Sequence, residues 1–278
     1  VSDAYRPDET ADDGFVALTE KITRESDFRC TSYKDKCVRR RIAVRMRARG
    51  AGTYDQYARL LDSDHEEYGH LIDALTINVT KFFRNPSAYA AIAQHVVPEL
   101  WRGSERIRIW SAGSASGEEA YSLAALFYEH ACAHDQLMRI GRVSVIGSDI
   151  DRASLDAAHN ATYLPSSFTD TDPELVERLF PELGERRTVI PAVRAMARFE
   201  RRDLLQDPPP AGTFDLIACR NVIIYLDRES RESLMDMLFD SLRPGGYLVM
   251  GHVETFTGRE RRSLIPVAAR ERIYRKTS

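Results

Sequence analysis

Apolar residues recur at helical spacing through the first 76 positions. Phe15, Leu18 and Ile22 share one face, the signature of an amphipathic helix. A second helix is expected from about Tyr33 to Arg49 and stops at Gly50, because glycine accepts the left-handed conformation that ends a helix. Thr53 is placed to cap a third, with Tyr54, Tyr57, Leu60 and Leu61 turned inward, its hydroxyl accepting a free first-turn N–H. A fourth covers 66–76 and carries Tyr68, Leu71, Ile72 and Leu75. Residues 1–12 are polar and acidic and read as a flexible terminus. Positions 13–76 read as a small helical domain, and 77–87 as a linker.

The pattern then changes. Tyr89, Ile92, Val96 and Leu100 mark a helix, after which short apolar runs alternate with helical ones. The runs IRIW (107–110), VSVIGSD (143–149), FDLIACRN (214–221) and YLVMG (247–251) read as buried strands. Between them lie helices bearing Tyr121, Ala124, Ala125 and Tyr128, then 151–160, then Leu234, Leu238 and Leu242 closed by Pro244-Gly245-Gly246. Strands alternating with helices predict an α/β fold, a mostly parallel sheet covered on both faces. It spans 88–278 and ends in a hairpin of 263–268 with 272–276. Proline-rich 163–202 breaks the alternation; pieces such as RTVI (187–190) and ARFE (197–200) suggest a small β-subdomain inserted at about 166–200.

Composition narrows the class. Lys+Arg is 39 and Asp+Glu 42, for a net charge of -3, which excludes a chain basic throughout but not a local patch. No apolar run approaches the roughly 20 residues of a membrane helix, and no signal peptide is recognised. Cys30, Cys37, Cys132 and Cys219 show no C-x-x-C spacing, so no metal site is expected and the thiols read as reduced, in a cytoplasmic protein.

The candidate chemistry begins where the 107–110 strand ends. Ser111-Ala112-Gly113-Ser114-Ala115-Ser116-Gly117 is built of tiny residues, and open α/β sheets bind ligands at the carboxyl ends of their strands. Glu118 and Glu119 follow. Two carboxylates sit where a pyrophosphate would have to lie, and the loop lacks both G-x-G-x-x-G and G-K-[ST]. A loop with an acidic exit suits a ligand bearing an ammonium or sulfonium, such as S-adenosylmethionine; the other reading is a tight turn with solvated glutamates. Asp149 ends the next strand, where a carboxylate can accept both hydroxyls of an adenosine ribose; its alternative role is a helix N-cap, which Asp151 could fill instead.

Further candidates lie elsewhere. Arg220, Asn221 and Tyr225 follow the 214–218 strand with hydrogen-bonding groups. The mixed polar and aromatic stretch 76–84 lies at the seam between the two patterns and reads as a substrate gate or as docking aromatics. The 33–49 helix carries Lys34, Lys36, Arg39, Arg40, Arg41, Arg45, Arg47 and Arg49 against Asp35. Such a density of cations should bind an acidic partner in a salt-sensitive way, unless it is simply a solvated face. Its interleaved Ile42, Val44 and Met46 offer no base stacking.

Taken in order, TINVTKFFR (76–84), WSAGSASGEEAYSLA (110–124), SDID (148–151), FDLIACRNVIIYLD (214–227) and RPGGYLVMGHVE (243–254) resemble the CheR family of chemoreceptor glutamate methyltransferases, from about residue 14 to 275. The resemblance implies an N-terminal helical domain, a Rossmann-like class I S-adenosylmethionine-dependent methyltransferase domain and a small inserted β-subdomain. By position it places Asn78, Thr80 and Arg84 at the cofactor and active site, Gly113 in the loop floor, Glu119 on the methionine amino group and Asp149 on the ribose. Asp203 and Leu204 would flank the adenine, where the family commonly has Asn-Leu. Asn221 and Val222 would line the cofactor, and Arg84 and Tyr225 would sit nearest the methyl.

The implied reaction converts S-adenosylmethionine to S-adenosyl-L-homocysteine while methylating a receptor glutamate. The implied partner is the acidic methylation helix of a chemoreceptor, docked by Arg39, Arg40, Arg45 and Arg47; neither nucleic acid nor membrane insertion is expected. The 181–198 stretch is shorter than in members that dock a receptor's C-terminal peptide, so independence of that tether is expected. The alternative reading is a nucleic-acid methyltransferase anchored by the basic helix. It is disfavoured because the chain lacks [DNS]-P-P-[YF], and Cys219 follows Ala218 rather than proline. A non-catalytic S-adenosylmethionine sensor and a nicotinamide oxidoreductase are the remaining rivals; intact Arg84, Asn221 and Tyr225 argue against the first, the glycine spacing against the second.

Overall fold

In the computed structural model the chain forms two units, one of residues 1–77 with 225–230 and a larger one of 78–224 with 231–278. The structure describes residues 9–26, 28–76, 80–252, 254 and 263–277.

The smaller unit holds α1 (Glu9–Glu25), α2 (Asp35–Ala48), α3 (Tyr54–Ser63) and α4 (His65–Leu75). Leu18, Ile22, Ile42, Tyr57, Leu61 and Leu71 meet in its core. Thr53 caps α3, its hydroxyl accepting from Gln56 N at 3.2 Å, and Gly50 ends α2 at φ +68°. Asp64 caps α4 by accepting from Glu67 N at 3.0 Å. Glu67 is fully buried and accepts from Tyr57 Oη at 2.6 Å and from Arg45 Nε at 3.0 Å. Burial alone would push its carboxyl up, but the bonds from Arg45 and Tyr57 and the charge of Arg49 hold it below its ordinary value. Residues 225–230 join this unit through backbone bonds: Lys34 N donates to Tyr225 O at 3.0 Å and Asp227 N to Ser32 O at 3.1 Å. Helical periodicity carries no trace of that addition, because the pairing is backbone to backbone across the sequence.

The larger unit opens with α5 (Pro86–Ala91) and α6 (Val97–Gly103), joined by a wide π turn at Ile92–Val96. Pro98 has no N–H for the regular ladder, which accounts for the widened turn. There follow β1 (Ile107–Ala112), α7 (Glu118–Ala133), β2 (Val143–Asp149), α8 (Arg152–Asn160), β3 (Thr162–Tyr163), α9 (Pro173–Leu179), β4 (Glu182–Leu183), β5 (Arg186–Thr188), α10 (Pro191–Arg194), β6 (Ala197–Arg201), β7 (Phe214–Cys219), α11 (Arg228–Ser241), β8 (Leu242–Met250), β9 (Leu264–Ala268) and β10 (Ile273–Lys276). The main sheet runs β6-β2-β1-β7-β8-β10-β9. Its first five strands are parallel, and β10 pairs antiparallel with both β8 and β9. The chain moves outward from β1 to one side and then returns to the other. This leaves a switch point between β1 and β7, where such sheets bind ligands.

Two expectations are corrected. Residues 197–201 do not belong to the small sheet; β6 pairs with β2 in the main one, because Phe199 packs over the side-chain-free Gly147 and edge-on to Tyr121. The small sheet is therefore β3-β5-β4 alone. Pro244-Gly245-Gly246 does not close a helix but lies within β8, where the register shifts between the Phe214–Leu242 and Leu216–Tyr247 pairs. A bulge frees proline from donating to the ladder.

The insert is anchored to the parts of the fold that matter next. Phe82 stacks on Phe168 with centroids 4.6 Å apart and meets Tyr163 edge-on at 4.8 Å. Phe82 N donates to Ser167 O at 2.9 Å, and Tyr163 Oη donates to Ser116 O at 2.7 Å.

Candidate active site

The loop 113–117 leaves β1 at the switch point. Gly113 N and Ser114 N both donate to Ser148 O at 2.9 Å, which ties the loop to β2. Gly113 has φ +78°, and a Cβ there would lie 2.5 Å from Val222 Cγ2. Only glycine lets the loop floor and the turn after β7 approach this closely.

Three carboxylates surround the loop. Glu119 accepts from Ser111 Oγ at 2.8 Å and lies 3.6 Å from an Arg220 nitrogen, with 12% of its side chain exposed. Burial outweighs the attraction of Arg220 and pushes its carboxyl above the ordinary value. Glu118 is buried and accepts from Ser116 Oγ at 2.7 Å, so the reading of both glutamates as solvated fails for this one. Asp149 accepts from Ala115 N at 2.8 Å and Asp151 N at 3.1 Å, and burial raises its carboxyl too. Asp151 caps α8 through Ala153 N and Ser154 N, so Asp149 is not that cap and its carboxylate faces the loop.

Arg84 stands half-buried in a constrained turn. Phe83 and Asn85 on either side adopt φ +50° and +64°, conformations that non-glycine residues hold only under constraint and that cluster at functional sites. Phe83 N donates to Ser122 Oγ at 2.9 Å. Arg220, a candidate by its place after β7, holds the other side. It donates to Arg84 O at 2.7 Å and Asn85 Oδ1 at 3.0 Å, and its guanidinium lies 5.2 Å from the Tyr89 ring centroid. The same side chain faces Glu119 and so joins the Arg84 turn to the acidic loop.

The remaining candidates differ in setting. Thr80 is half-buried and Asn78 lies outside the described residues. Asn221 has φ +64° and Val222 abuts Gly113. Asp203 spends its carboxylate locally, accepting from Leu205 N at 2.9 Å and Gln206 Nε2 at 2.8 Å, with Leu204 half-buried beside it. Tyr225 belongs to the smaller unit, where Arg41 lies 5.4 Å from its ring centroid. On α2, Arg40 and Arg47 are exposed, Arg39 covers the Phe15 ring at 3.8 Å, and Arg45 is engaged by Glu67.

The site fits S-adenosylmethionine on its own chemistry. Glu119 is a mostly buried carboxylate that a ligand ammonium would neutralise. Asp149 has lone pairs that could accept from ribose hydroxyls, and Ser114 Oγ is buried with no hydrogen-bond partner among the described residues. Glu118 and Glu119 at the start of α7 oppose a pyrophosphate.

Comparison with known proteins agrees. Residues 13–76 match the all-alpha domain of CheR methyltransferases, and residues 78–272 match their SAM binding domain. A chemotaxis protein methyltransferase of Listeria innocua is 31% identical over 241 residues, 86% of this chain and 89% of that protein. Chemotaxis protein methyltransferase 2 of Pseudomonas aeruginosa is 32% identical over 248 residues, 87% and 86% of the two chains. An uncharacterized 104.1 kDa protein of Rhodobacter capsulatus is 32% identical over 240 residues, and there the match covers 85% of this chain but 25% of the relative.

Proposed function

The chain belongs to the CheR methyltransferase family and carries its S-adenosylmethionine-binding domain, and on that premise we propose that it methylates glutamate side-chain carboxylates of chemoreceptors in the cytoplasm, as a protein-glutamate O-methyltransferase. The observation that carries the reading is the mostly buried Glu119 beside a phosphate-hostile loop. Bound S-adenosylmethionine would supply an electrophilic methyl carbon on a sulfonium. Glu119 would hold the ammonium, Asp149 the ribose, and Gly113 with Val222 the floor beneath.

The acceptor needs no general base, since a glutamate with a reference pKa of about 4.3 is already ionised near neutrality. The work left to the protein is in-line positioning and exclusion of water. Arg84 is the side chain assigned to orient the carboxylate; a loose contact preserves the nucleophilicity that a tight ion pair would blunt. The proposal keeps Tyr225 beside the methyl on the family resemblance. A methyl-transfer assay offering receptor membranes, RNA and DNA separately tests the reading: base-labile methanol released from the receptor supports it, and labelled nucleic acid overturns it.

Docking falls to the exposed part of α2. Lys36, Arg40 and Arg47 lie along one exposed row, with Val44 half exposed between them. Reversing Arg40 and Arg47 to Glu should raise the receptor KM by about five- to tenfold at low salt and flatten its salt dependence, with an unchanged melting midpoint. Arg45→Ala should instead lower the melting midpoint, because the buried Glu67 carboxylate loses its nearest cation and keeps Tyr57 and the more distant Arg49, a loss of about 3 kcal/mol. Unchanged kinetics in the double reversal would move docking off this helix.

Independence of a receptor tether peptide is part of the proposal. It is supported by the brevity of the small sheet, whose outer strand β4 has two residues. Calorimetric titration of a receptor tail peptide should show no binding below micromolar; a sub-micromolar Kd refutes it.

A further inference from the structure

We propose that Glu254 is a positioning residue for the cofactor, gathering the backbone N–H groups of the turn after β7 so that Asn221 and Val222 are fixed at the ligand crevice. Glu254 is 3% exposed. One oxygen accepts from Gly251 N at 2.5 Å and the other from Ile223 N at 3.1 Å; the Asn221 N–H also bonds to it. These donors come from two separate strand ends, β7 and β8, so a single carboxylate ties both together.

The turn needs such a tie. Asn221 sits at φ +64° without being glycine, a conformation that surrounding contacts must hold in place. Gly251 completes the packing: a Cβ there would lie 2.8 Å from Glu254 Oε2 and 2.9 Å from Asn221 N. The consequence reaches the crevice through Val222, whose Cγ2 occupies the space above Gly113. If residues 221–223 rotate, the floor under the ligand shifts with them.

The choice of a carboxylate follows from the donors. Several converging N–H groups require a group that only accepts, and an ionised carboxylate does so with charge-assisted bonds. Glutamine has the same shape but turns an NH2 toward one of the N–H groups. Aspartate keeps the charge but falls short of both strand ends. Burial pushes the Glu254 carboxyl up while the three backbone bonds oppose it, and among the described residues no ion pair reaches it. With its two oxygens taken up by the Gly251, Ile223 and Asn221 N–H groups, its role is to organise backbone.

The inference rests on the reading of the crevice as an S-adenosylmethionine site, so its test includes a readout that needs no ligand. Hydrogen exchange of the ligand-free Glu254→Gln protein should speed up about tenfold at the Asn221 and Ile223 amides, with the β1 amides unchanged. S-adenosylmethionine Kd, by calorimetry, should rise about tenfold, while kcat at saturating cofactor stays within about threefold. Glu254→Asp should fall between the two proteins, and it carries the same readouts if the Gln variant does not fold. Unchanged exchange at the two amides overturns the proposal. Exchange that rises equally across the sheet, or a faster turn with unchanged Kd, also overturns it, since the role would then be structural only. Failure of the wild-type protein to bind S-adenosylmethionine would instead sink the cofactor reading and leave the exchange result to decide the clamp.

Discussion

Arg84→Ala is expected to lower the kcat for methyl transfer by about a hundredfold or more, with the melting midpoint and the S-adenosylmethionine Kd close to wild type. The backbone around Arg84 is held by other groups. Ser122 holds the Phe83 N–H, Arg220 holds the Arg84 carbonyl, and Pro86 begins α5 two residues later. Truncation should therefore leave the turn standing while it removes the group assigned to orient the acceptor. Misplacing a reacting carboxylate by about 1 Å is enough for a hundredfold loss. Arg84→Lys should recover part of the rate, because it restores charge but not the planar fork that matches a carboxylate. Steady-state kinetics with receptor membranes decide it. Near-wild-type turnover in the Ala variant would take Arg84 out of the chemistry, and an equal loss in S-adenosylmethionine affinity would make it a cofactor ligand.

What the sequence revealed and what it concealed divide along a physical line. Strand β2 is legible residue for residue at 143–149, since a buried parallel strand is a short apolar run between polar stops. Thr53 and Gly50 announce helix ends through chemistry local to the turn. The failures are non-local. The bulge at Pro244 shows only once β8 is paired with β7. ARFE looks the same whether it joins a small sheet or a large one, and Gly147, fifty-two positions from Phe199, decides which. The basic run on α2 is visible in composition, but not that Arg45 is bound to Glu67, twenty-two residues away. The roles of Arg220, a candidate by position, and of Glu254 escaped for the same reason: each bonds to backbone groups far from it in sequence, which no periodicity records.

Glu119→Gln should weaken S-adenosylmethionine binding by about a hundredfold, roughly 2.7 kcal/mol. That magnitude is typical of truncating one partner of a mostly buried charge pair. Gln keeps an oxygen for the Ser111 hydroxyl, so the loop should persist, but the ligand ammonium loses its anion and is left facing Arg220. The pH dependence follows from the same burial. In the ligand-free protein the Glu119 carboxyl lies above its usual 4.5 because burial disfavours the charge. A raised carboxyl contributes stability below the unfolded value, and that contribution is lost as pH rises through the folded value. A bound ammonium acts in the opposite sense, favouring the ionised form. Affinity should therefore fall as pH is lowered toward 4.5, with protons released on binding along the way, and the melting shift given by S-adenosylmethionine should be larger at neutral pH than at mildly acidic pH. Asp149, raised by its own burial, should leave a residual dependence in the Gln variant. Calorimetry in two buffers of different ionisation enthalpy reads both affinity and proton count. A Kd within threefold of wild type in Glu119→Gln would mean that the crevice does not recognise its ligand by this charge, and the acidic exit of the loop would lose its functional meaning.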